Sequence, residues 1–338
     1  MKLNLEQFKS IAQGAVDVIE DADGFKFLRF NKEEIEFYRP LDTFVKVYAS
    51  AGVQLEFETD ATAINLVVDM KPASTRTFFS FDLWVNGELT DALNNYPADL
   101  KDTGYALIPF ELGLHEKRFE LGEGKKVIRI VFPFSSFATV KELDLVDASV
   151  LTPVRPSKTL LAYGDSITHG YDSLHFSNSY IAKLARSLDA VLYNKGIGGE
   201  IYRPGLAAIK NDIDPDYITV AYGSNDFNRA LKSEFEGDCE NFLKNVKANY
   251  PRAEIFAISP IWRIDCGTSR NGEFEKCSEI SDTIKACAER VGVHFIYGFD
   301  FVPHDKAYFG DLQVVHPNEK GFDLYFKALK KEIDKILK

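Results

Sequence analysis

Between Thr152 and Lys158 the hydrophobic rhythm of this 338-residue chain changes, so its two halves cannot share one architecture. Before that segment apolar and polar residues alternate with a period of two, the mark of half-buried strands. Val53-Gln-Leu-Glu-Phe57, Ile64-Asn-Leu-Val-Val68 and Phe79-Ser-Phe-Asp-Leu-Trp-Val85 keep this phase. Asn86-Gly87 follows the third run directly, a pair suited to the positive φ angles of a tight hairpin. Further runs at Phe119–Leu121, Val127–Phe132 and Leu143–Leu151 continue the series, and seven or so short strands are expected. That pattern predicts a β-sandwich of jelly-roll type over residues 1–152, preceded by one amphipathic helix near Leu5–Ile19.

Thr152-Pro-Val-Arg-Pro-Ser-Lys158 carries two prolines and no periodicity, and marks the domain boundary. Beyond it, over 153–338, apolar strands alternate with helical patterns. Strands are expected at Thr159–Tyr163, Val191–Tyr193, Tyr217–Tyr222, Glu254–Ser259 and His294–Tyr297. Helices are expected near Ser179–Leu188, at Phe235–Asn249, and from Pro317 to about Leu337, with the proline in the first turn. Alternation of this kind predicts a five-stranded parallel sheet covered by helices on both faces.

Composition narrows the function classes. Forty Lys+Arg against 51 Asp+Glu leave a net charge of −11, which argues against nucleic acid as a partner. No run approaches the roughly 20 apolar residues of a bilayer span. The opening MKLNLEQFKS lacks the apolar core of an export signal, so the expectation is a soluble, cytoplasmic protein away from membranes. Four cysteines (Cys239, Cys266, Cys277, Cys287) include no C-x-x-C pair, and no histidine has the spacing of a metal-binding motif. Neither a disulfide framework nor a metal site is expected.

Parallel sheets of this kind bind ligands beyond the carboxyl ends of their strands. Those ends carry Gly164-Asp-Ser-Ile-Thr168 after the first strand and Asn194-Lys-Gly-Ile-Gly-Gly-Glu200 after the second. Gly223-Ser-Asn-Asp226 follows the third, and Asp311-Leu-Gln-Val-Val-His-Pro-Asn318 lies beyond the fifth. A serine, glycine-rich turns, a carboxamide and a histidine suit acyl transfer. The hydroxyl needs an adjacent imidazole to take its proton, and the tetrahedral oxyanion needs fixed neutral donors. Each group alone has an ordinary structural explanation, as a helix cap, a turn or a core histidine; their conjunction favours chemistry.

The four segments together resemble the blocks of the SGNH (GDSL-type) hydrolases, in order and in spacing, over about Lys158–Lys338. The leading β-domain adds a weaker likeness to carbohydrate esterase family two. The resemblance implies an α/β/α sandwich that hydrolyses esters without a cofactor, acting on acetyl groups of saccharides. Carried over, Ser166 is the nucleophile and His316 the general base. The oxyanion hole is formed by the N–H groups of Ser166 and Gly199 and by the side chain of Asn225. Trp262 and Asp165 are candidates for substrate contact. The family usually has an aspartate three positions before the histidine, and here that position is Gln313. Asp311 is therefore the expected partner of His316, with a backbone carbonyl as the alternative. Two rival readings are a lipid or thioester acyl hydrolase on the same fold, and a carbohydrate-binding protein with a vestigial site.

Overall fold

The computed structural model describes residues 1–100, 104–310 and 315–338. The N-terminal half is a sandwich of two antiparallel sheets. One sheet orders its strands Ala12–Gln13, Gln54–Thr59, Lys126–Val131, Ser80–Val85, Glu88–Asn94, with Leu151–Pro153 on Gln54–Thr59. The other runs Asp17–Asp21, Gly24–Leu28, Ser136–Val146, Ala63–Pro72, Gly113–Glu120. Successive strands largely pass from one sheet to the other. The period-two pattern explains the packing. Leu55, Phe57, Phe81, Ile128 and Ile130 from the first sheet meet Leu66, Val68, Phe119, Val140 and Leu145 from the second in one buried core. Asn86 (φ 51°) and Gly87 (φ 88°) both take left-handed angles and close the expected hairpin.

Two local expectations are corrected. The first helix stops at Ile11 rather than Ile19, because the chain goes extended at Ala12 and turns at Gly14 (φ 77°). An added Cβ at Gly14 would sit 2.3 Å from the Gly52 carbonyl oxygen, so only glycine fits there. Asp17–Asp21 then pairs as a strand with Gly24–Leu28. A second helix, Lys32–Tyr38, was not expected; Asn31 and Glu34 form a reciprocal capping box at its start.

The C-terminal half is a parallel sheet with helices on both faces. Its strands are β1 Lys158–Gly164, β2 Ala190–Asn194, β3 Tyr217–Ala221, β4 Glu254–Ile258 and β5 His294–Ile296, in spatial order β2-β1-β3-β4-β5. Alternate residues of β1 feed different cores. Leu160 and Ala162 pack with Ile181, Leu184, Phe322 and Leu329, while Leu161 and Tyr163 pack with Phe235, Phe242, Ile280 and Ile284. Burial on both faces is why these strands read as continuous apolar runs. The last helix, Glu319–Ile336, starts after Asn318, whose side chain accepts the Gly321 N–H; Pro317 lies outside the first turn.

The two halves share buried side chains. Phe78, Tyr105, Val131 and Phe134 of the N-terminal half belong to the same core as Tyr171, Phe176 and Tyr180 of the C-terminal half. Phe30, Tyr38 and Val47 likewise pack on Ile197 and Leu206. Buried Lys195 bonds Glu34 Oε2 at 2.7 Å across the same boundary. Among the described residues no helix is long and apolar enough to cross a membrane.

Candidate active site

In a β2-β1-β3 order the sheet's connections diverge between β1 and β3, and a crevice opens at the carboxyl ends there. The sequence blocks end at this crevice. Gly164 closes β1 where an added Cβ would lie 2.1 Å from the Thr168 hydroxyl, so the chain can turn sharply into the short helix Ser166–His169. Asp165 caps that helix by accepting the Ile167 N–H at 2.9 Å. Ser166 is therefore its first residue.

Ser166 Oγ lies 2.8 Å from His316 Nε2, and His316 Nδ1 lies 2.9 Å from Asp172 Oδ2. This relay gives the imidazole a defined tautomer: Nδ1–H donates to the carboxylate and Nε2 is free to accept the serine proton. The acid on Nδ1 thus comes from the loop just after the nucleophile helix. Gly170 (φ 103°) ends that helix and Asp172 (φ 66°) continues the turn back under the histidine, a conformation aspartate tolerates. Asp172 stands against Nδ1 here; the expected Asp311, like Gln313, lies outside the described residues.

Asp172 is held from the other half of the molecule. Arg76 donates Nε to Oδ1 at 2.6 Å and Nη2 to Oδ2 at 3.0 Å, and the Tyr105 hydroxyl donates to the Asp172 carbonyl. Burial pushes the Asp172 carboxyl up, but His316 and Arg76 outweigh it and hold it at about 2. It is ionised at any working pH.

The expected oxyanion donors are the N–H groups of Ser166 and Gly199 and the Asn225 side chain. Ser166 N–H, at the start of a helix, has no acceptor among the described residues. In the glycine loop Gly198 N–H donates to His169 Nδ1 at 3.1 Å and Glu200 N–H to the Ile197 carbonyl at 3.1 Å. Gly199 N–H, between them, has no acceptor among the described residues. Gly199 takes φ 86°, a glycine conformation that turns this N–H away from the bonds of its neighbours. The Asn225 amide donates one hydrogen to the Glu200 carbonyl at 2.9 Å, leaving its second free. Next to it, Asp226 accepts the N–H groups of Tyr202 and Gly223, each at 3.0 Å, and burial raises its carboxyl to about 7.

The two substrate-contact candidates sit differently. Asp165 is 2% exposed, raised by burial to about 6, and its carboxylate is occupied as a helix cap. One face of the Trp262 indole stacks on His304 at 5.0 Å, and Phe309 meets it edge-on at 5.7 Å. Sequence reasoning missed Asp172, Arg76, Tyr105, His169 and the Lys46 ammonium, which lies 2.6 Å from the Gly198 carbonyl oxygen. The Gly170-Tyr-Asp172 turn was the one available signal; Arg76 and Lys46 lie far away in the chain. Among the described residues no group of histidine, cysteine and carboxylate side chains is arranged to hold a metal ion.

A serine hydroxyl bonded to an imidazole that is bonded in turn to a carboxylate, beside unspent N–H donors, is an arrangement suited to acyl transfer. Residues 162–324 match the model of the GDSL-like lipase/acylhydrolase family. The match lies wholly within the C-terminal half. Solved structures extend the likeness to the whole chain, as a likeness of fold. The salicylyl-acyltransferase SsfX3 of a tetracycline biosynthetic pathway is 20% identical with a TM-score of 0.81, covering 96% of this chain and 94% of its own. A protein of Bacteroides ovatus described as a GDSL-like lipase is 18% identical with a TM-score of 0.77, covering 100% and 98%. A family two carbohydrate esterase from Clostridium thermocellum is 19% identical with a TM-score of 0.64, covering 86% and 94%. No curated protein sequence matches significantly.

Proposed function

We propose that this protein is a serine esterase of the GDSL-like acylhydrolase family that removes short acyl groups, acetyl first, from carbohydrate hydroxyls. The observation that carries the chemistry is His316 bonded to Ser166 on one ring nitrogen and to Asp172 on the other. Ser166 Oγ attacks the ester carbonyl while its proton passes to His316 Nε2. The C–O bond to the sugar breaks, and the sugar oxygen leaves with that proton. Water then adds to the acyl-serine with His316 as base, releasing the carboxylic acid and restoring the serine. Ser166 N–H, Gly199 N–H and the free Asn225 hydrogen hold the oxyanion in both steps. No metal or cofactor is required by this scheme.

The saccharide assignment draws on the two-domain fold shared with the family two carbohydrate esterase, solved with cellohexaose, and with an acetyl xylan esterase from Butyrivibrio proteoclasticus. The likeness to an acyltransferase favours a second reading, in which an alcohol takes the place of water at the acyl-serine. One panel tests both: aryl esters from acetate to palmitate, acetylated xylo- and manno-oligosaccharides, and aryl acetate with added alcohol acceptors. Acetate should be hydrolysed faster than butyrate, with octanoate poor. Faster turnover of octanoate would move the function to lipid esters, and new ester in the presence of an alcohol would establish transfer. Ser166→Ala should keep the melting temperature and lose about 10⁴-fold or more in rate; wild-type turnover by the folded variant would refute the serine mechanism.

A further inference from the structure

The loop that supplies Gly199 N–H is gripped on its outer side by groups from the N-terminal half. Lys46, on the 3-10 turn Phe44–Tyr48, donates its ammonium to the Gly198 carbonyl at 2.6 Å. That carbonyl and the Gly199 N–H belong to one peptide group. The peptide is trans, so its C=O and N–H point in opposite directions. Lys46 therefore sits behind the dipole whose front is the unspent Gly199 N–H. Its own position is fixed: Arg29 donates Nη2 to the Lys46 carbonyl at 3.1 Å and Nη1 to the carbonyls of Asn194 and Gly196 at 2.7 and 3.2 Å. No carboxylate among the described residues lies within ion-pair distance of Lys46, so its charge is not spent elsewhere.

We propose that Lys46 is a positioning residue of the acyl-transfer reaction: its ammonium aligns and polarises the Gly198–Gly199 peptide, making Gly199 N–H a stronger donor to the oxyanion. The inference rests on the serine-esterase reading above. Bonds to a charged partner are shorter and stronger than neutral ones, and a donor on one end of an amide strengthens donation from the other. The neighbouring peptide provides an internal contrast. Arg229 donates to the Gly199 carbonyl at 2.8 Å, but the N–H of that peptide, Glu200's, is already spent on Ile197. A cation there cannot reach the oxyanion through a free donor. The N-terminal half would then be part of the catalytic apparatus, beyond any role in holding glycan.

The test compares variants on aryl acetate and with a trifluoromethyl ketone, which forms a tetrahedral oxyanion on the serine. Losing a whole oxyanion donor costs about 10²–10³-fold, so losing its polarisation should cost less. Lys46→Met should lower kcat about tenfold with KM within twofold, and weaken the ketone by the same factor. Lys46→Gln, a neutral donor, should fall with Lys46→Met, whereas Lys46→Arg should keep most of the rate; this pair decides the matter if Lys46→Met does not fold. Arg229→Met should cost less than about twofold. Equal activity of the Gln and Arg variants, ketone affinity unchanged while kcat falls, a loss in KM alone, or an equal loss in Arg229→Met would each overturn the proposal. Ser166-dependent turnover in the wild type with an inert Lys46→Met would overturn only the Lys46 assignment. Absence of Ser166-dependent turnover would remove the esterase reading and this one together.

Discussion

Ser166, His316 and Asp172 all come from the α/β/α half, whereas Arg76 and Lys46, which hold Asp172 and the glycine loop, come from the sandwich. In the proposed mechanism the first group changes protonation or bonding during turnover. The second keeps its bonds, and only fixes where the first can be. A parallel sheet can present reactive side chains at its strand ends, but its loops need an outside surface to set their angle. Here that surface is supplied by a domain of a different class, and the division of labour is open to experiment.

The most drastic way to break it is to remove the sandwich. Residues 158–338 expressed alone would expose the core shared with Phe78, Tyr105 and Phe134, and would leave Arg29 and Lys46 missing from the glycine loop. The expected outcome is a fragment that aggregates or lacks esterase activity altogether, read by sedimentation and aryl acetate turnover. A folded, fully active fragment would show that the sandwich is dispensable.

Within the reactive group, Asp172→Asn should lower the rate by roughly 10²–10⁴-fold, the range of triad acids. Asparagine accepts the left-handed φ of 66°, so the turn survives and circular dichroism should match the wild type. Within the holding group, Arg76→Met leaves a fully buried carboxylate with one partner fewer. Breaking a buried pair typically costs about 3–5 kcal/mol of stability, so the melting temperature should drop clearly while kcat falls by less than in Asp172→Asn. The reverse order, a large kcat loss at unchanged stability, would place Arg76 with the reactive residues. As the smallest effect, Lys117→Ala removes an ion pair to Asp91 on the exposed face of the sandwich. Its cost should be within about 1 kcal/mol with no change in turnover.

The same division accounts for what could be read in the sequence. Strands and helices of both halves follow from periodicities of two and 3.6, which are local, and Ser166, Gly199, Asn225 and His316 lie at strand ends that the alternation locates. Asp172 escaped because the acid was sought beside the histidine in the chain, whereas the imidazole needs a carboxylate beside it in space. It is delivered there by a positive-φ turn after Gly170, and such turns leave no periodic trace. Arg76 lies 96 residues from Asp172 and Lys46 lies 152 from Gly198. Their partners are set by how two domains pack, which depends on side-chain shape over a whole interface. The helix expected to Ile19 failed for a related reason: the close approach of Gly52 to Gly14 is tertiary, and it overrides local pattern.

The aromatic face shared by the two halves also has a consequence for how the protein is made. Translation delivers the sandwich first, and at roughly 5–20 residues per second the remainder takes on the order of 10–40 s to follow. Throughout that interval Phe78 and Phe134, at 0% and 2% exposure in the finished molecule, lack the cover of Tyr171, Phe176 and Tyr180. The nascent sandwich is then a sticky intermediate on the ribosome, and its handling by chaperones would set the yield of active enzyme more than the stability of the completed fold.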